Sequence, residues 1–364
     1  MPVYQSSRLV HSYIKADQMK KTMLVSALGA AALLAAATLA QAAEKPPKAE
    51  PAMQKVLDAL ASLGGKPVDT LTPEQARKQP SPADAVKKVM ADMGKSAAPE
   101  SGVTVKDMSI AGPLGNFPIH IYTPEGKGPF PVMVYYHGGG FVIADTKTYD
   151  ASPRALAKMA NAIMVAVDYH LAPENPFPAA PNDAYAAYLW TLEHAKEING
   201  DPARVAVGGE SAGGNLAAVV SMMARDKKAT MPVHQLLVYP VIDANMETPS
   251  YKKNAEAKPL NKAMMAWFFK HYAGDPANPY ALPMKAASLK GLPPATVIAA
   301  EIDPLLSEGK AYADRLKKDG VAVSYKEYMG VTHEFFGMGA VVPKAKEAEQ
   351  FAADALKNAF AAKK

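Results

Sequence analysis

Gly209-Glu210-Ser211-Ala212-Gly213 sets a serine in a glycine-flanked turn, directly after the apolar run 205–207 and before a helical pattern over 215–224. A strand–turn–helix of this kind holds its serine in a strained backbone conformation and lifts Oγ above a sheet. It also aims the next backbone N–H, that of Ala212, at the same cavity. A second segment, His137-Gly138-Gly139-Gly140-Phe141, follows the apolar run 131–136. Its glycines leave N–H groups that no side chain obstructs, so Gly138, Gly139 and Ala212 are suited to receive the negative oxygen of a tetrahedral intermediate. A phosphate cradle is the competing use of such a loop, but it calls for a helix start and a nearby lysine, and this loop runs into Phe141-Val142-Ile143.

A serine hydroxyl is a weak nucleophile until a base takes its proton, and histidine titrates in the useful range. His333 stands in a glycine-flanked loop after the last strand pattern, where a side chain can reach over a sheet edge. His120, His194, His234 and His271 sit within strand or helix patterns and read as surface or packing residues. His137 reads as an anchor for the glycine loop, and His170 lies in a proline-rich turn without a matching acid. Asp303, just past the run 295–300, is placed to orient the imidazole, with Glu301 as a rival acid and a helix cap as its alternative role. The chain order Ser211, Asp303, His333 is that of α/β-hydrolases. His333-Glu334 lacks the second histidine of a zinc-protease motif, so no metal is expected, and nothing calls for a cofactor.

These side chains need a scaffold, and the periodicity supplies one. Runs 103–110 and 117–122 partly alternate around a glycine-containing turn, as an antiparallel pair does. Runs 131–136, 162–167, 205–207, 235–239, 295–300 and 321–328 are mostly apolar throughout and alternate with helical stretches. That pattern predicts a mainly parallel central sheet with helices on both faces. Three helical patterns precede it: 53–63, one opened by Thr72-Pro73-Glu74-Gln75, and one opened by Ser81-Pro82-Ala83-Asp84. They predict an N-terminal helical cap, and 344–360 predicts a closing helix. The aromatic stretch Met264, Met265, Trp267, Phe268, Phe269 either packs in the core or lines an acyl or alcohol pocket. Phe141, Glu210 and Trp267 are the expected pocket residues.

The 364 residues are 49% hydrophobic and 21% charged, a globular composition with room for one large domain. Arg8, Lys15, Lys20 and Lys21 against Asp17 account for +3 of the net +5. The remaining +2 leaves no basic face for nucleic acid. Without cysteine there are no disulfides, thiolate metal sites or lipidated N-terminal cysteine. Lys20-Lys21, an apolar run to Leu39 and Ala40-Gln41-Ala42 form the pattern of a secretory leader cleaved after Ala42, with Met19 as an alternative start. The expected product is periplasmic or secreted, with no stable membrane anchor once the leader is removed. The expected organisation is a leader and extension over 1–42, linker and cap over 43–100, and a catalytic domain over 101–364.

From about residue 103 to the C-terminus the chain resembles the hormone-sensitive lipase family of α/β-hydrolase esterases and lipases, bacterial family IV. The resemblance is carried by His137–Phe141, by Asp168-Tyr169-His170-Leu171-Ala172-Pro173-Glu174 with Pro176-Phe177-Pro178, by Gly209–Gly214, by Asp303-Pro304-Leu305 with Glu308-Gly309, and by His333. It implies Ser211, Asp303 and His333 as triad and Gly138, Gly139 and Ala212 as oxyanion hole. It also implies a cap over an acyl pocket and a small ester substrate of short to medium acyl chain. Three positions depart from the family pattern: Glu210 where Asp or Thr is usual, His170 for an arginine, and Glu334 where glycine is frequent, a carboxylate that favours the charged form of the base. Amide or lactone hydrolysis on the same fold, or a non-catalytic small-molecule binder, are the alternatives. The oligomeric state is not written in the sequence.

Overall fold

The computed structural model describes residues 47–362. The expected leader, its cleavage site after Ala42 and the alternative start at Met19 lie outside the described residues. Eight strands form one sheet: β1 (Val103–Gly112), β2 (Gly115–Pro124), β3 (Phe130–Tyr136), β4 (Ile163–Val167), β5 (Gly200–Glu210), β6 (Gln235–Val238), β7 (Ala295–Ile302) and β8 (Val323–Thr332). Their order is β1-β2-β4-β3-β5-β6-β7-β8. β2 is antiparallel to both its neighbours, and every ladder from β4 to β8 is parallel.

The central strands β3 and β4 carry no charged or amide side chain because both faces are covered. In β3, Val132, Val134 and Tyr136 face one core, with Ala184 of α5 (Ala179–His194), Leu216 of α6 (Ala212–Asp226) and Tyr312 of α9 (Leu306–Lys318). Met133 and Tyr135 face the other core, with Leu156 of α4 (Ala151–Ala160) and Leu356 of α10 (Pro343–Ala361). Strand alternation thus sends every second side chain to a different helical layer.

Helices α2 (Pro73–Ala76) and α3 (Pro82–Asp92) start where the sequence predicts, and α1 (Pro51–Ser62) starts two residues before the expected 53. Thr72 and Ser81 each accept the N–H three residues on, and Gln75 and Asp84 return the bond to the cap residue's own N–H. Met53, Val56 and Ala59 of α1 pack with Ala85, Val86 and Val89 of α3. Two short helices, α7 (Pro249–Lys253) and α8 (Lys262–Tyr272), lie between β6 and β7 in the chain. β5 extends well beyond the expected 205–207. Its later residues, Gly208 and Gly209, carry no apolar signal, and the pairing with β3 has no room for one: a Cβ on Gly208 would meet Met133 Sδ at 2.8 Å. Among the described residues, no helix is long and apolar enough to cross a membrane.

Several buried groups tie stability to pH. Hydrogen bonding to Asp168 raises His120 to about 9 against the opposing effect of burial, with Asp107 assisting. Burial raises Glu349 to about 8 and Glu210 to about 7. Stability from His120 is complete below its ordinary value of 6.5 and is lost as pH rises through 9. The two carboxyls keep protons that an unfolded chain has already released, so their deprotonation on the way to pH 8 also lowers stability. The expected result is a Tm that falls between pH 6.5 and 9, with Glu349→Gln flattening the decline. A Tm constant or rising over that range, measured by calorimetry, contradicts these assignments.

Candidate active site

Parallel strands point their C-terminal ends the same way, so the segments leaving β3, β5, β7 and β8 meet at one edge of the sheet. His137 follows β3, Ser211 follows β5, Asp303 follows β7 and His333 follows β8. The register pairs Ile302 with Thr332, which brings Asp303 and His333 out side by side.

Ser211 has φ 56° and ψ −116°, a strained left-handed conformation for a residue with a side chain. Its neighbours explain how the turn holds: a Cβ on Gly213 would lie 1.9 Å from Tyr136 O, and one on Gly209 2.4 Å from the same oxygen. Only glycine lets α6 start this close to β3. The resulting position presents Ser211 Oγ 2.9 Å from His333 Nε2, and His333 Nδ1 lies 2.7 Å from Asp303 Oδ2. Asp303 is fully buried, and its second oxygen accepts the Leu305 N–H at 2.8 Å. Asn254 Nδ2 donates to the Asp303 carbonyl at 3.1 Å. With Asp303 as acceptor, the imidazole proton sits on Nδ1 and leaves Nε2 free to take the serine proton. Glu301, the rival acid, instead accepts the Gly330 N–H at 2.7 Å.

Burial opposes a charge on His333, but Asp303 outweighs it and Glu334 and Glu210 add to the effect, so the imidazolium is favoured beyond the ordinary histidine range. The glycine loop is pinned from behind. Tyr169 stacks on His137 with ring centroids 4.3 Å apart and donates to His137 O at 2.9 Å. His137 Nδ1 donates to Gly138 O at 2.7 Å, which bears out its reading as an anchor. Gly139 and Gly140 have φ 94° and 60°. Among the described residues, no acceptor is bound by the backbone N–H of Gly138 or Gly139, and Ala212 N–H is the first of α6. None of these three N–H groups has an acceptor partner among the described residues, so each keeps the hydrogen-bonding capacity an oxyanion would use.

With this geometry in place, comparison with known proteins identifies the lineage. Residues 133–337 match the family model described as alpha/beta hydrolase fold. The chain belongs to the hormone-sensitive-lipase-like α/β-hydrolases. Among relatives of this α/β-hydrolase, the carboxylic ester hydrolase LipN of Mycobacterium tuberculosis is 43% identical over 66% of this chain and 66% of its own length. The esterase LipI of the same organism is 38% identical over 85% of this chain and 95% of its own. A thermostable esterase from Pseudomonas putida superposes with a TM-score of 0.79 at 38% identity, covering 87% of this chain and 99% of that one.

The expected pocket residues divide. Phe141 is buried, with φ 65°, and stacks on Tyr272 of α8 with centroids 3.8 Å apart. Trp267 is nearly buried and donates to Leu71 O at 3.0 Å, which ties α8 to the N-terminal segment. Its neighbour Phe268 lies against Gly140, where a Cβ would meet the ring at 2.2 Å. Glu210 is only 1% exposed, and its carboxylate accepts from the hydroxyls of Tyr135, at 2.5 Å, and Tyr239. It faces tyrosines rather than a pocket, because the residue before the nucleophile still belongs to β5 and points its side chain into the sheet's second layer.

His170, read as lacking an acid, has one: its Nδ1 lies 2.6 Å from Asp183 Oδ2, and its backbone N–H donates to the same oxygen. Asp183 stands on α5, thirteen residues on, and no local motif announces the pair. Other supporting residues also escaped notice. Glu308 accepts the N–H groups of Ile242 and Asp243, and Tyr149 donates to Glu334. The first lies within a quoted motif; Tyr149 has no signal in the sequence.

Proposed function

We propose that the protein hydrolyses carboxylic esters through an acyl-enzyme, with Ser211 as nucleophile, His333 as base and then acid, Asp303 as orienting acid, and the N–H groups of Gly138, Gly139 and Ala212 as oxyanion donors. The observation that carries this reading is the continuous contact from Asp303 through His333 to Ser211, at 2.7 and 2.9 Å. Nε2 takes the Oγ proton as Oγ attacks the carbonyl carbon. The same proton goes to the departing alcohol, and water then repeats the sequence on the acyl-enzyme. Relatives named for esterase activity at up to 43% identity support the choice of ester over amide or lactone. A complete triad speaks against a non-catalytic binder.

The expected substrates are short to medium acyl esters. The N-terminal segment serves as the cap: Leu71 reaches α8 through Trp267, and Arg77 donates to Val142 O at 2.8 Å and pairs with Glu174 at 2.7 Å. Export to the periplasm or beyond rests on the leader pattern alone. Hydrolysis of 4-nitrophenyl esters of increasing chain length tests the substrate range, with kcat/KM expected to be greatest for short and medium chains. Because His333 is active when neutral and its charged form is favoured, the acid limb of kcat/KM is expected on the alkaline side of an ordinary histidine. Faster cleavage of an amide than of its matched ester would overturn the assignment.

A further inference from the structure

Glu334 follows the catalytic base and adopts φ 69°, a left-handed conformation that glycine takes far more readily. Its carboxylate is held in place: Tyr149 Oη lies 2.7 Å from each oxygen. Tyr149 is fixed in turn, since its hydroxyl abuts Gly138, where a Cβ would meet it at 2.3 Å. The chain from oxyanion loop through Tyr149 to Glu334 sets Glu334 Oε1 3.8 Å from His333 Nε2. That nitrogen is the one facing Ser211, not the one facing Asp303. The other groups facing the imidazole are the Tyr239 ring, with its centroid at 4.5 Å, and the buried Glu210 carboxylate, which acts on it through space.

We propose that Glu334 is a water-positioning residue: its carboxylate accepts one hydrogen of the deacylating water while His333 Nε2 accepts the other. This rests on the ester-hydrolase reading of the site. Two acceptors 3.8 Å apart can share one water at ordinary hydrogen-bond distances of about 2.8 Å from each. Once Oγ carries the acyl group, Nε2 has lost its serine partner and the water can take that place. The water oxygen bonds to the acyl carbon, and the proton aimed at Nε2 moves onto the imidazole. Collapse of the tetrahedral intermediate breaks the carbon–Oγ bond, and Oγ recovers that proton. The second proton stays on the former water oxygen, held toward Glu334, and is released to solvent when the acid product ionises.

The test uses the full chain with 4-nitrophenyl acetate in stopped flow, alongside labelling by diethyl 4-nitrophenyl phosphate, which reports attack by Ser211 separately from acetyl-enzyme breakdown. Glu334→Gln is expected to label at close to the wild-type rate and to slow deacylation about tenfold. KM should fall with kcat, and the nitrophenol burst should approach one per enzyme. The acid limb of kcat/KM should also move to lower pH, since a negative neighbour of the imidazolium is gone. Glu334→Gly relieves the backbone conformation, so it should fold at least as stably while showing the same slow deacylation. Should the glutamine variant fail to fold, the glycine variant carries the test. Wild-type deacylation rates in the folded variants overturn the water's placement and leave the ester-hydrolase reading standing. A wild-type protein that neither hydrolyses the acetate nor is labelled overturns both.

Discussion

Replacing Ser211 with alanine is expected to lower kcat for a 4-nitrophenyl ester by roughly a million-fold, since losing the nucleophile of such a unit costs about as much as losing the whole unit. The fold should survive, because among the described residues the hydroxyl's one partner is His333, and the turn is held by the backbone and by glycines. Asp303→Asn is expected to cost about 10⁴-fold. The two Asp303 oxygens face two donors, the Leu305 N–H and His333 Nδ1. An asparagine can satisfy only one of them, and with its oxygen on Leu305 it turns an NH₂ toward Nδ1. That forces the proton onto Nε2, where it faces Ser211 and cannot accept from it. Glu301→Gln separates the two acids: its amide oxygen can still accept the Gly330 N–H, so turnover should remain close to wild type. A Glu301 variant as damaged as the Asp303 variant, with both proteins folded, would reverse the assignment.

The second large effect is expected from a single methyl group. In Gly213→Ala, the new Cβ would sit 1.9 Å from Tyr136 O, 2.5 Å from Tyr136 C and 2.6 Å from His137 O. These are backbone atoms of β3 and of the oxyanion loop, so no flexible side chain can give way. Either α6 withdraws, taking Ser211 and the Ala212 N–H with it, or the glycine loop moves. Displacement of about 1 Å at a reacting centre can cost about 100-fold in rate, and overpacking costs roughly 1–3 kcal/mol or more in stability. Turnover should therefore fall at least about 100-fold, with a clear drop in Tm. Gly309→Ala is the control. This glycine lies inside α9, a Cβ there meets only Pro240 Cδ at 3.8 Å, and the change should stabilise by roughly 0.5–1 kcal/mol. Full activity in Gly213→Ala would show that the turn at Ser211 tolerates what the geometry forbids.

All eight strands were legible in the sequence because their signals are local, and so were Ser211, Asp303 and His333 as the residues that meet at the sheet edge. Continuous apolar runs such as 162–167 mark strands covered on both faces. The glycines around Ser211 mark a turn of known form, and the order of Ser211, Asp303 and His333 restricts the fold that can bring them together. Boundaries were less legible where glycine replaces apolar residues, as at the end of β5.

What the sequence by itself determined is therefore the layered sheet, the candidate residues that meet at its edge and their likeness to one family. The tertiary structure alone decided which residues support those groups. Glu210 turns toward Tyr135 and Tyr239, His170 meets Asp183, and Tyr149 meets Glu334. Tyr149 and Glu334 are 185 residues apart. A backbone repeat records which face a residue occupies, but not which side chain from a distant element will fill the space opposite it; that is set by packing of the whole chain.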